Sequence, residues 1–134
     1  MKQQVIQPEG WPAPKGYANG IVARGRTLYV AGQVGWDTDG RMADGFVAQF
    51  AQALDNVIAV VRAAGGGPTE IVSMTIYVTD LDAYRRSLGE LAGVWRDRFG
   101  RHYPAMTLVQ VAGLVEPGGM VEIQAIAMLA ENRE

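Results

Sequence analysis

The sequence predicts a two-layer α+β domain, with two helices packed on one face of a single sheet. Three observations carry that expectation: an apolar repeat of three to four residues from Phe46 to Ala64, strict alternation from Val72 to Thr79, and a second helical stripe from Tyr84 to Phe99. β-compatible segments flank them at both ends, so the predicted order is ββαβαββ.

The first two strands are expected at Ala18 to Arg24 and Thr27 to Gln33, a hairpin closed by Gly25-Arg26. Gly35 to Gly45, rich in Asp and Gly, reads as a surface loop. Phe46, Phe50, Leu54, Val57, Val61 and Ala64 then share one helix face. Asp44 is the expected cap, since its carboxylate can accept from free backbone N–H groups. Gly65-Gly66-Gly67 and Pro68 stop the helix, because glycine tolerates a left-handed cap and proline blocks continuation. Val72, Met74, Ile76 and Val78 alternate with Ser73, Thr75, Tyr77 and Thr79, which gives a strand with one apolar face. Asp80 caps a second helix carrying Tyr84, Leu88, Leu91, Trp95 and Phe99, and Gly100 ends it. Strands at Ala105 to Val111 and Met120 to Leu129 complete the chain, with Glu116-Pro117-Gly118-Gly119 turning between them.

The last strand separates two faces. Val121, Ile123, Ala125, Ala127 and Leu129 point one way; Met120, Glu122, Gln124, Ile126 and Met128 point the other. Met106 and Leu108 add apolar surface to one side of the preceding strand. Two helices cover one face only, so a mixed, partly apolar face is left for self-association or for covering loops.

Composition narrows the function. The 134 residues suit a single domain spanning 1–134, and 49% are apolar. A formal charge of −2 supplies no field for a polyanion, and Trp11, Trp36 and Trp95 are too dispersed to stack bases, so nucleic acid is not an expected partner. No cysteine and one histidine leave no convincing metal site, and no cofactor is expected. Gly65-Gly66-Gly67 precedes Pro-Thr rather than Lys-Ser/Thr, so it is no phosphate loop. The opening residues, Met1-Lys2-Gln3-Gln4, lead into no signal-peptide run, and no apolar stretch is long enough to cross a bilayer, so no membrane partner is expected and the cytoplasm is the expected location.

Seven segments in order resemble the RidA/YjgF family of enamine/imine deaminases, also known as L-PSP endoribonucleases. They are Gly16-Tyr17-Ala18-Asn19-Gly20, Val30-Ala31-Gly32-Gln33-Val34, Gln52-Ala53-Leu54-Asp55-Asn56-Val57, Ala63-Ala64-Gly65, Val78-Thr79-Asp80-Leu81, Tyr103-Pro104-Ala105 and Val121-Glu122-Ile123-Gln124-Ala125-Ile126-Ala127. The resemblance implies a chorismate-mutase-like fold, a homotrimer with a central β-barrel, and small-molecule pockets between subunits.

It also implies a site with departures. Tyr17, Gly32 and Gln33 are kept. Met106 stands where active relatives place an arginine that grips the substrate carboxylate, and Gln124 where a glutamate positions the attacking water. Ala31 replaces a serine, and Gly89 an asparagine. Loss of a buried Arg–carboxylate pair removes about 3–5 kcal/mol, and loss of general-base help about 10^2–10^4 in rate. Glu122 lies on the same side of its strand as Gln124 and is either a displaced base or a polar contact residue. Arg101 and His102 precede Tyr103-Pro104 and are either ligand contacts or ordinary loop residues. Two functions follow: hydrolytic deamination of an enamine or imine bulkier or less anionic than aminoacrylate, for which an aminomuconate-type compound is one analogy, or a non-catalytic metabolite-binding or regulatory trimer.

Overall fold

A computed structural model describes residues 3–131. The strands are β1 (Gln3–Ile6), β2 (Gly20–Ala23), β3 (Arg26–Val34), β4 (Ile71–Val78), β5 (Ala105–Gln110) and β6 (Val121–Leu129). The helices are α1 (Phe46–Ala63), α2 (Leu81–Arg86) and α3 (Leu88–Phe99), with a single 3₁₀ turn at Pro68–Glu70.

The main sheet runs β3-β6-β4-β5, with β6 antiparallel to both neighbours and β4 parallel to β5. Parallel strands require a crossover. α1 makes the one from β3 to β4, and α2 with α3 makes the one from β4 to β5. α1 packs on β3 and β6, α3 packs beside it, and the other sheet face stays open. The two-layer α+β expectation holds.

The core follows from period. Phe46, Phe50, Leu54, Val57 and Val61 of α1 are buried against Met74, Ile76 and Val78 of β4 and the five alternate apolar residues of β6. Burial at about 25 cal/mol per Å2 makes this seam the main stabilising contact. α1 ends in a full left-handed cap: Gly65 has φ 94°, its N–H donates to the Arg62 carbonyl at 2.9 Å, and the Gly66 N–H donates to Val61 at 3.0 Å.

Three local expectations are corrected. Ala18–Arg24 and Thr27–Gln33 form no hairpin: β2 pairs with β1 in a separate two-stranded sheet, and β3 pairs with β6. Turn chemistry at Gly25 reverses nothing here, because β3 finds an apolar partner face in Leu28–Ala127 and Val30–Ala125. Asp44 does not cap α1; Gly45 occupies that position at φ 97° with no side-chain bond. The second helix is two helices, broken at Ser87, although Asp80 caps the first by accepting from the Asp82 and Ala83 N–H groups at 3.0 and 3.3 Å.

Candidate functional site

The site is built where the N-terminal loop meets the free edge of β5. The Ala18 N–H donates to the Pro104 carbonyl at 2.9 Å, and Ala18 bridges Ala105 in parallel. That single contact sets Tyr17 beside the start of β5. Pro104 is fully buried, which fixes the approach.

The loop before β5 is held by aromatic stacking. Trp95 stacks on Phe99 with centroids 4.0 Å apart, and Tyr103 lies parallel to Trp95 at 6.0 Å. The Trp95 Nε1–H donates to the His102 carbonyl at 3.1 Å. α3 and the Tyr103 loop thus form one wall.

Between this wall and the sheet lies a cavity of about 370 Å3. Ile76, Met106 and Leu108 form its floor. Tyr84, Leu88, Leu91, Ala92 and Trp95 form its helical side, with Phe50 reaching in from α1. Lys15, Gly16, Tyr17, Tyr103 and Arg96 complete the lining. A concave, mostly apolar space of this size with a few polar groups suits a small organic molecule.

Tyr17 and Met106 are therefore brought together. Glu122 and Gln124 are not with them. In β4, Met74 pairs with Met106 and Ala125, whereas Thr75 pairs with Thr107 and Gln124. Adjacent residues point to opposite faces. Met106 and Leu108 thus face the helices, and the two β6 side chains face the open side.

On that open side a register shift in β3, between Val30 and Gln33, sets Ala31 and Gly32 together opposite Gln124. A side chain at Gly32 would overlap the Glu122 carboxylate, so the glycine makes room for it. The Tyr77 hydroxyl donates to Gln124 Oε1 at 3.3 Å. The Gln33 amide donates to the Ala31 carbonyl at 3.1 Å. Ala31, Gly32, Gln33, Glu122 and Gln124 form a polar strip along β3 and β6, separate from the cavity within one chain.

Arg101 and His102 do not line the cavity. The His102 Nε2–H donates to the Ile71 carbonyl at 2.7 Å, so the ring anchors its loop to β4. Arg101 is exposed beside it. Gly89 is exposed near the start of α3 and does not line the cavity, whereas its neighbour Leu88 and, three residues on, Ala92 do. Sequence reasoning missed Lys15, Tyr84, Trp95 and Arg96 as lining. The aromatic excess of the second helical stripe was the available signal.

Fold and site define a class: a two-layer α+β domain with an aromatic-walled pocket at a sheet edge, built for a small molecule. The family model described as Endoribonuclease L-PSP matches residues 10–129. The chain belongs to that family. It is 34% identical over 128 residues to a Bos taurus 2-iminobutanoate/2-iminopropanoate deaminase, covering 94% of this chain and 90% of the relative. Among solved structures it resembles YyfB of Yersinia pestis, a Rid-family protein, with TM-score 0.85, 32% identity and coverage of 96% of this chain and 100% of that one. It also resembles RidA of an Antarctic Psychrobacter, with TM-score 0.69, 35% identity and coverage of 94% and 99%.

Proposed function

We propose that this chain hydrolyses an enamine or imine to a carbonyl compound and ammonia, in a homotrimer whose pockets lie between copies. One observation carries the reading: Tyr17 and Met106 converge on an apolar cavity of about 370 Å3, in a chain whose relative bears a deaminase name. The cavity is roomier than 2-iminopropanoate requires, which favours a larger substrate.

The reaction adds water across C=N. The water oxygen bonds to the imine carbon as one water proton passes through a base to nitrogen; the second proton then leaves the new hydroxyl for nitrogen as C–OH becomes C=O and the C–N bond breaks, which releases ammonia. Glu122 is the side chain suited to take the first proton. Gln124 cannot do so; its amide N–H groups can hold the water oxygen while its Oε1 accepts from Tyr77. For Glu122 to reach a ligand beside Tyr17, a second chain must supply it. β3 and β5 are the two edges of the main sheet. The reading requires the β3 strip of Ala31, Gly32 and Gln33, with Glu122 behind it, to approach the neighbouring cavity where the β3 edge of one copy meets the β5 edge of the next.

The test is ammonia release from imines generated in place by an amino-acid oxidase. Glu122→Gln should lower kcat by about 10^2–10^4 with little change in KM. Rates equal to buffer across a broad panel would remove the deaminase reading. A second reading, a trimer that binds a metabolite without turnover, is favoured by the apolar Met106 and the proton-incompetent Gln124. A melting-temperature rise with a metabolite that is recovered unchanged supports it.

A further inference from the structure

The cavity's charge is one-sided. Two of its lining residues, Lys15 and Arg96, are cationic, and none is acidic. Among the described residues neither cation makes an ion pair; the salt bridges found are Arg85–Asp82 and Arg98–Asp55. They approach from different elements. Lys15 comes from the loop two residues before Tyr17, and Arg96 follows Trp95 on α3. Both are exposed residues, so their charged ends belong at the mouth, whereas Met106, Leu108 and Ile76 supply an uncharged floor.

We infer that the substrates are 2-imino acids with a large apolar side chain, aromatic or branched, bound with the carboxylate at the mouth between Lys15 and Arg96. This rests on reading the Tyr17–Met106 cavity as the substrate site. An anion cannot seat on Met106, whose thioether is only a weak acceptor, without losing its hydration uncompensated. The apolar side chain takes the floor instead, over Met106 and Leu108 and against Trp95. The carboxylate then stays hydrated at the rim, where a planar guanidinium meets it with two parallel N–H donors. The C=N carbon, bonded to the carboxylate, comes to lie near the mouth beside Tyr17. That is the side from which a second chain would approach with its base. Arg96 is thus a specificity-determining residue.

Calorimetry with non-reacting probes tests the pose: 3-phenylpropanoate, its neutral amide and propanoate. The expected order is 3-phenylpropanoate tightest, the amide about tenfold weaker, which is one charge-assisted hydrogen bond, and propanoate weaker again. Arg96→Gln should cut the preference for acid over amide to what Lys15 alone supplies, Arg96→Lys should restore part of it, and Lys15→Gln combined with Arg96→Gln should abolish it. Equal affinity for acid and amide, an unaltered preference in Arg96→Gln, or propanoate binding as well as the aryl acid would overturn the inference. Ammonia release from phenylalanine- and alanine-derived imines separates this from the deaminase reading. The predicted binding order without any ammonia leaves the pose standing and removes the catalysis. Equal hydrolysis of both imines, unchanged in Arg96→Gln, does the reverse.

Discussion

At the scale of single residues, position 106 decides what the floor of the cavity can hold. Met106→Arg would place a guanidinium among Ile76, Leu108 and Leu91, and it would strongly favour a small acid carboxylate in that space. The expected outcome is a gain of hydrolysis of the alanine-derived imine and a loss of the phenylalanine-derived one, read by ammonia release. No gain in the first would show that the fault lies elsewhere in the site. Gln49, by contrast, has a role that only the structure reveals. It is 3% exposed, donates to the Ala43 and Gly118 carbonyls at 3.1 Å each, and accepts from the Met120 N–H at 2.7 Å. Gln49→Leu strands those backbone groups and should cost about 2–3 kcal/mol in urea denaturation. A polar residue beside an apolar helix stripe gives no hint, in sequence, of the two loops it ties together. Tyr17 and Met106 could be placed near each other only through the family resemblance, and His102 only by finding the carbonyl that occupies its ring.

At the scale of elements, legibility tracked how far a segment's fate depends on local pattern. The alternation of β4 and β6 decides which side chains face the core, and both were readable. β1 is four residues long and mostly exposed, so it carries little pattern. The expected hairpin failed for a different reason: a turn signal marks where a strand ends but not which distant strand it joins. Gly25 still matters. It has φ 143°, and a side chain there would overlap the Leu129 carbonyl. Gly25→Ala should therefore cost about 1–3 kcal/mol by denaturant titration, from backbone strain and the displaced β6 end. The break at Ser87 escaped notice because the apolar stripe of Tyr84, Leu88 and Leu91 continues across it. The same blindness hid the sheet face of Met106: one step of register separates the cavity side from the Glu122 side, and register is set by pairing with β4 rather than by β5 itself.

At the scale of the whole molecule, the open sheet face is the feature that a lone chain leaves unexplained. Tyr29 on it is 76% exposed and Val109 41% exposed, with Ile126 and Met128 half-buried between them. Glu122 and Gln124 interrupt this apolar surface, so a partner covering it would bury both. Ile126 is the natural place to test this, because β6 is a central strand and its outward side chain lies near the middle of the face. In a monomer, Ile126→Asp exposes one more carboxylate and should fold. In an assembly, it buries an unpaired charge at a cost of several kcal/mol, enough to shift the association equilibrium by orders of magnitude. Sedimentation should therefore give three chain masses for the parent protein and one for the variant, with ammonia release lost in step. A parent chain that sediments as a monomer while still turning over imines would require Glu122 and Gln124 to be spectators, because within one chain the sheet itself stands between them and the cavity.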